Sequence, residues 1–236
     1  MDRAMPDASL IAATEQPLNT LFMAARRCYF GGGYYDLLKE KRETTDGEKG
    51  RLIKHCIKAG HLSVLEHVNF TFHVTCSRAT SAQFERHRIA SYSEMSQRYC
   101  KFDNLEIIYE GPQDSICHIE TYARKLERGY KMLLEEGIKP ENARAILPMS
   151  TLTRFIVTMN CRSWLHFLEE RLCSTAQKEI RMIAGEIHRI LRINLPEVFE
   201  AAGPKCVRLG YCPEGKRGCG KKGARNEDDA QSEGNS

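Results

Sequence analysis

Residues 68–76 read VNFTFHVTC, a stretch in which apolar and polar side chains alternate without a break. The even positions are apolar and the odd positions are polar, which is the period-two pattern of a half-buried β-strand. Residues 151–160, TLTRFIVTMN, alternate again, with Phe155, Val157 and Met159 on one side. We therefore predict two half-buried strands, over residues 68–76 and 151–160.

Helical patterns surround both strands. We predict helices over residues 18–29, 47–59, 78–88, 115–137 and 163–171, and a last helix from the N-cap Ser174 to Asn194. A short helix opens at Pro140, residues 107–109 suggest a short strand, and residues 89–97 are predicted to form a loop rich in hydroxyl groups. Strands and helices together indicate an α/β (mixed α+β) fold.

The pattern of the chain changes near both ends. Residues 1–16 are weakly patterned and are predicted to be a lead-in, residues 17–203 form one domain, and residues 204–236 lose all periodicity. The last part is basic and polar, which is typical of a disordered tail. The sequence therefore predicts a single folded domain between two extensions.

Composition excludes several classes of protein. Hydrophobic residues make up 42% and charged residues 28%, as in an ordinary folded protein. No apolar run approaches the ~20 residues that span a bilayer, and no export signal is evident, so we expect a cytoplasmic protein without membrane contact. The net charge of +4 is too small, and its charges too well mixed, to indicate a nucleic-acid-binding protein.

The ten cysteines do not form an evident disulfide or metal pattern. Seven of them stand singly, most of them within predicted helices and strands, which is typical of reduced core thiols. Cys206, Cys212 and Cys219 lack a fourth ligand nearby and any Cys-x-x-Cys pair, so no metal site is predicted. Residues 215–222 resemble a phosphate loop, but Lys222 replaces the required Ser or Thr, and we reject that interpretation.

The densest polar cluster is residues 83–99, QFERHRIASYSEMSQRY. It brings three arginines, one histidine and three serines into a segment bordered by apolar structure. Arginine donors and hydroxyl groups suit an anionic ligand. A solvated helix end followed by a hydrophilic loop explains the same composition, and both interpretations stay open on spacing alone.

A second group of polar residues follows the second predicted strand. Arg162 and His166 lie four apart on one helical face, and Arg171 follows them. His61 and Ser63 lie just before the first strand. A single histidine in such a place is more often structural than functional, so these residues gain weight only together with the first cluster.

Residues 86–99, RHRIASYSEMSQRY, contain Arg-His-Arg, seven residues, Ser, one residue and Arg. This pattern resembles the signature of the flavin-dependent thymidylate synthases. Supporting stretches occur in the expected order, among them GHLS at 60–63, ARAILP at 143–148 and NCRS at 160–163. The resemblance runs from about Leu18 to Gly203.

The resemblance implies a mixed sheet flanked by helices, in a homotetramer whose active sites are shared between subunits. It implies reductive methylation of dUMP to dTMP, with methylenetetrahydrofolate as the one-carbon donor. FAD would carry the hydride and NADPH would reduce the flavin. In this family no enzyme cysteine attacks the pyrimidine.

The resemblance also implies roles for individual residues. Arg171 is expected to stabilise charge on the pyrimidine edge, and Ser96 to polarise and orient dUMP without covalent attack. The positions that match dUMP contacts are Gln83, Arg86, Glu94, Met95, Ser96, Gln97, Arg98, Arg144 and Arg171. The positions that match FAD contacts are His61, Ser63, Arg86, His87, Arg88, Glu94, Asn160, Arg162 and His166.

Two other functions are compatible with the arginine cluster. One is a flavin- and folate-using methyltransferase that acts on uridine in RNA, and the other is a nucleic-acid-binding module without catalysis. RNA would need an open basic track, whereas free dUMP needs a phosphate pocket. Basic and acidic residues nearly balance outside residues 204–236, which favours the small substrate and no nucleic acid.

Overall fold

A computed structural model describes residues 4–102 and 104–223 and contains a four-stranded sheet. The strands lie in the order β1 (Asp7–Ala13), β2 (Asn69–Ser77), β4 (Leu152–Asn160) and β3 (Ser91–Glu94). All three strand pairings are antiparallel, so the prediction of a mixed sheet is wrong for the described strands. The alternating pattern predicts strands but not their relative direction, since antiparallel strands can be joined by short or by long connections.

The two central strands confirm the alternation in the sequence. β2 and β4 pair along their whole length, with Phe72 opposite Val157. Phe70, Phe72, Val74, Phe155, Val157 and Met159 face one side and are buried, whereas Thr71, Thr158 and the exposed Ile156 face the other side, where the two threonine hydroxyl groups lie 2.9 Å apart. The buried side packs against helices, as a half-buried sheet requires.

Ten α-helices accompany the sheet in the described residues. Those before the polar cluster are α1 (Pro17–Arg27), α2 (Tyr34–Glu43), α3 (Asp46–Lys58) and α4 (Arg78–Phe84). Those after it are α5 (Gln113–Glu135), α6 (Pro140–Ala143), α7 (Cys161–Arg171), α8 (Lys178–Asn194), α9 (Pro196–Phe199) and α10 (Lys205–Leu209). None of the described helices is long and apolar enough to cross a membrane.

Aromatic side chains join α7 and α4 to the sheet. The indole Nε1 of Trp164 donates to the carbonyl of Phe70 at 3.2 Å, and the Trp164 ring meets Phe72 edge to face. Phe167 stacks on Phe84 with ring centroids 4.7 Å apart. Because all five rings are fully buried, the start of α7 and the end of α4 are held rigidly relative to each other.

Several predicted elements differ from the structure. The lead-in over residues 1–16 contains β1, the loop over residues 89–97 contains β3, and the helix over residues 78–88 ends at Phe84. The N-cap of the last long helix is Gln177, not Ser174, and residues 107–109 make only a single bridge from Ile107 to Thr151. The predicted disordered tail contains α10, although residues 224–236 lie outside the described residues.

All ten cysteines are free thiols, but they are not all core residues. Of the seven that were predicted to be core thiols, Cys56, Cys76 and Cys161 are buried. Cys28, Cys100 and Cys117 are exposed, and Cys173 is half-buried, so the prediction is wrong for these four.

Candidate functional site

A cavity of about 1170 Å³ lies between the sheet-bearing core and the C-terminal part of the chain. Four segments line it: the end of α3 with the turn that follows, residues 86–89, the first turns of α7, and residues 198–208. The size suits a large organic ligand, since pockets for drug-sized molecules span roughly 300–1,000 Å³. Six of the nine residues predicted to contact FAD line this cavity: Arg86, His87, Arg88, Asn160, Arg162 and His166.

The cavity wall is rich in cations. Arg162 donates to Glu66 at 2.6 Å, and Arg208 donates from Nε to Glu169 Oε1 at 2.5 Å. The other wall cations, Lys58, Arg86 and Arg88, make no ion pair with any described residue. Because three cations stay uncompensated, the wall can accept an anionic ligand such as a diphosphate.

Tyr92 holds the turn that carries Arg86 and Arg88. Its hydroxyl lies 2.6 Å from the carbonyl oxygen of Phe84 and 3.1 Å from that of His87, directly after α4 ends. Burial raises the pKa of Tyr92, so the hydroxyl stays protonated and remains a donor at neutral pH. The edge strand β3, which carries Tyr92, therefore positions the arginines of this turn.

His87 links the turn to Arg171. Arg171 donates from Nε to His87 Nε2 at 3.1 Å and from Nη2 to the carbonyl of Gln83 at 3.1 Å. An arginine can only donate, so Nε2 of His87 must be the acceptor and the ring proton must sit on Nδ1. That Nδ1 is buried and has no partner among the described residues. His87 lines the cavity, and its ring keeps one N–H without a partner among the described residues.

His87 is the group of this site whose titration should be visible in stability measurements. Its pKa is lowered from the ordinary 6.5 to about 4, because burial disfavours the imidazolium and because Arg171 and His166 repel it, against a smaller opposing effect of Glu170. The unfolded chain takes up the proton first. The free energy of unfolding should therefore fall as the pH drops from 6.5 to about 4, by at most about 1.4 kcal/mol per pH unit.

This pH dependence can be measured by urea unfolding between pH 4 and pH 8. His87→Gln should flatten the curve relative to the wild-type protein, and His118→Gln, at an exposed position of α5, is the matched control. Equal slopes for the wild type and His87→Gln would show that His87 does not stay neutral in the folded protein.

The start of α7 supplies the opposite wall. The Asn160 side chain accepts from the backbone N–H of Ser163 at 2.9 Å and so caps the helix. The cap turns α7 so that Arg162 and His166 face the cavity, and the ring of His166 meets that of His87 with centroids 5.5 Å apart. The i, i+4 spacing in the sequence predicted this shared face, and the structure has it.

Three of the residues predicted to contact FAD are not in the cavity wall. His61 and Ser63 are exposed, although their neighbours Gly60 and Leu62 line the cavity. Glu94 forms an ion pair with Arg78 and accepts from Thr153 at 2.9 Å. Its carboxylate is therefore used within the sheet region of the same chain.

The residues predicted to contact dUMP fall into two groups. Arg86 lines the cavity. Gln83 and Arg171 are connected to it, because Arg171 donates to the Gln83 carbonyl and to His87, which lines the cavity. The other group surrounds Glu141 on α6. Arg98 pairs with the Glu141 carboxylate at 3.0 Å, and Arg144 donates to the Glu141 carbonyl at 3.1 Å. The structure therefore brings Arg98 and Arg144 together, away from the cavity wall.

The loop after β3 completes this second group. The Met95 N–H donates to the carbonyl of Arg154 at 2.9 Å, which continues the ladder of β3. Ser96 Oγ accepts from the N–H of Arg98 at 3.3 Å. The amide nitrogen of Gln97 is buried without a partner among the described residues, so it is a second donor that is left for a ligand.

Sequence reasoning missed several acidic partners and one cation. Glu66, Glu141 and Glu169 each pair with a site arginine, but their positions carry no motif that distinguishes them from surface carboxylates. Arg208 lies in a segment without periodicity, so no pattern pointed to it. Within residues 4–102 and 104–223, no three His, Cys, Asp or Glu side chains are grouped to hold a metal ion.

The chain thus contains a cavity with a cationic wall and, apart from it, the pair of Arg98 and Arg144 around Glu141. The family described as "Thymidylate synthase complementing protein" matches residues 9–197. Flavin-dependent thymidylate synthases from Nitratidesulfovibrio vulgaris and Geobacter sulfurreducens are 40% and 39% identical to this chain, over 94% and 90% of it and over 97% and 93% of their own lengths. The chain belongs to the flavin-dependent thymidylate synthase family and is an enzyme, which confirms the resemblance found in residues 86–99.

The fold agrees with that of a solved structure. The UMP/dUMP methylase PolB from Streptomyces cacaoi, bound with 5-Br dUMP, superimposes with a TM-score of 0.73 at 23% identity. The likeness covers 84% of this chain and 94% of that one. At this identity it shows that the two chains share a fold.

Proposed function

We propose that this enzyme is a cytoplasmic, homotetrameric synthase that methylates dUMP reductively to dTMP. Methylenetetrahydrofolate would donate the one-carbon unit and NADPH would be the reductant, with FAD as the hydride carrier. The observation that carries the proposal is the turn of Arg86, His87 and Arg88, which lines the cavity with two cations and one buried ring N–H that have no partner among the described residues. The relatives' shared name and the name of the structural neighbour, a UMP/dUMP methylase, support the same reaction class.

The cavity residues suit FAD in charge and in shape. A dinucleotide carries a diphosphate, which needs cationic donors, and Arg86, Arg88 and Arg162 present them at the wall. The buried Nδ1–H of His87 can donate to an oxygen or nitrogen acceptor of the ligand. Asn160, His166 and the turn with His61 and Ser63 would hold the rest, and the bound flavin would supply hydride-transfer chemistry.

The arginine pair around Glu141 suits the monophosphate of dUMP. A dianionic phosphate that leaves water needs charged donors, and Arg98 and Arg144 both contact Glu141, the first from the loop after β3 and the second from the end of α6. In one chain this group stands apart from the cavity. A site shared between subunits, in which the loop of residues 94–98 of one chain meets the cavity of another, would unite them, and we propose that arrangement.

Arg171 would act on the pyrimidine. Its Nε and Nη2 are used by His87 and Gln83, so two fixed bonds orient the guanidinium and leave its remaining donors for substrate. Charge that develops on the pyrimidine edge as C5 becomes nucleophilic would be stabilised by these donors. Burial raises the pKa of the Cys76 and Cys161 thiols and keeps both protonated, so neither of these two is suited to be a nucleophile.

Ser96→Ala should slow methylation about tenfold, which is the worth of one lost hydrogen bond, and should leave it measurable. Ser96 Oγ contacts the N–H of Arg98, and no base contacts it among the described residues, so it lacks the activation that a nucleophile needs. Single-turnover formation of dTMP, with dUMP affinity measured in parallel, is the test. Complete loss of methylation with intact dUMP binding would make Ser96 the nucleophile.

The proposed reaction is tested by the absorption spectrum of the purified protein with FAD, followed anaerobically after addition of NADPH with and without dUMP. A flavin band that bleaches faster with dUMP would place cofactor, reductant and substrate at one site. If the enzyme methylated uridine in RNA and not dUMP, RNA would be the substrate. A folded protein that binds no flavin, but binds any polynucleotide in a salt-sensitive way, would make it a nucleic-acid-binding module.

A further inference from the structure

Part of the cavity wall comes from residues beyond the main core. Ala201, Ala202, Gly203, Val207 and Arg208 line the cavity and belong to α10 or to the turn that leads to it. Sequence patterns predicted a tail from residue 204 onward. The segment of residues 201–209 is instead ordered against the cavity, and we call it the C-terminal clasp.

Two ion pairs fasten the clasp to α7. Lys205 pairs with Glu170, and Arg208 pairs with Glu169 through both Nε and Nη2, at 2.5 and 3.4 Å. The helix that receives both pairs also carries Arg162 and His166 on the opposite wall. Clasp and wall are therefore both attached to α7.

The clasp presents apolar surface to the cavity. Val207 is 58% exposed, and it faces a wall that also contains Ile57, Leu62, Leu165 and Val198. An exposed valine opposite apolar side chains leaves room for a flat ring, whose binding would remove all of them from water.

We propose that the C-terminal clasp covers one ring of the bound flavin and that its ion pairs to Glu169 and Glu170 set how tightly FAD is retained. This inference rests on the proposed function. Arg208 acts here as a positioning residue, through Glu169, and Val207 provides the contact. The clasp lies after the end of the family match at residue 197.

The test compares FAD dissociation constants and FAD release rates by fluorescence titration and stopped flow. Lys205→Ala combined with Arg208→Ala should raise the dissociation constant about fivefold, the sum of two exposed ion pairs. Arg208→Glu combined with Glu169→Arg exchanges the two charges of one pair, and this double variant should bind FAD with most of the wild-type affinity. Arg189→Ala, which breaks the exposed pair with Glu186 on α8, is the matched control and should bind FAD as the wild type does.

Val207→Ser is the second variant, because it leaves the ion pairs in place and should also weaken FAD binding. The proposal for the clasp would be refuted if the double alanine variant and Val207→Ser both bound FAD with wild-type affinity. It would also be refuted if the charge exchange failed to recover affinity. Circular dichroism and a thermal melt establish that each variant is folded. A wild-type protein that binds no FAD would refute the proposed function itself, which separates the two outcomes.

Discussion

Arg171→Ala should lower the turnover number about 10²- to 10³-fold, as the loss of a donor aimed at developing charge does in other enzymes. The guanidinium is held by His87 Nε2 and the Gln83 carbonyl, so its remaining donors point in a fixed direction. Arg171 does not line the cavity, and FAD binding should therefore change only a few fold. Steady-state dTMP formation and a flavin titration on the same preparation measure both effects.

Arg171→Lys separates charge from geometry. Lysine keeps the positive charge but lacks the planar fork, so it cannot serve His87, Gln83 and the substrate together. We expect turnover between those of the alanine variant and the wild type. Arg189→Ala, on α8, is the control for a general loss of one arginine. Turnover near the wild-type value in Arg171→Ala would remove this residue from the mechanism.

Arg98→Ala should weaken dUMP binding about 10- to 100-fold, the range for a lost hydrogen bond to a charged group. The substitution removes a phosphate donor and also releases the carboxylate of Glu141, which is now paired with Arg98 at 3.0 Å. Both changes make binding of the dianionic phosphate of dUMP less favourable. Isothermal titration of dUMP into the FAD-loaded enzyme measures the loss.

Arg98→Ala combined with Glu141→Gln distinguishes these two contributions. The double variant lacks the released carboxylate, so its remaining loss of affinity is that of the cation alone. Arg154→Ala is the matched control, since Arg154 is similarly exposed and pairs with Glu106 at 3.2 Å. Unchanged dUMP affinity in Arg98→Ala would refute the phosphate assignment.

Elements with one buried and one exposed face were predictable from the sequence. β2 and β4 bury every second residue, and their predicted bounds differ from the structure by about one residue. The long helices α5 and α8 bury a stripe, and their existence was predicted as well. The start of α8 was misplaced, because Ser174 is an N-cap residue by type while its own carbonyl accepts from Arg181.

Elements at the edge of the sheet could not be predicted in this way. β1 buries only Ala8 and is irregular between Leu10 and Ala12, so its sequence shows no alternation. β3 has no fully buried residue, and α2 buries only Leu37. These elements are held by pairing or by contact with the rest of the fold, and a local pattern does not report such contacts.

The candidate site was predictable where a motif existed. The Arg-His-Arg turn and the polar residues of α7 meet at the cavity, as the shared resemblance implied. The acidic partners and the clasp carry no motif, since an ion pair between distant segments depends on tertiary structure alone. The partner of Arg171, Nε2 of His87, follows only from the coordinates.

The separation of the central strands bears on how the molecule folds in time. β2 ends at Ser77 and β4 begins at Leu152, so the sheet can close only after the intervening chain has been ordered or looped out. Sheets with such distant pairings fold slowly compared with helical bundles. The cavity draws on residues from 57 to 208, which means that it exists only at the end of this process and after nearly the whole chain has been synthesised. The rate at which FAD binds during refolding would therefore report the rate of the final folding step.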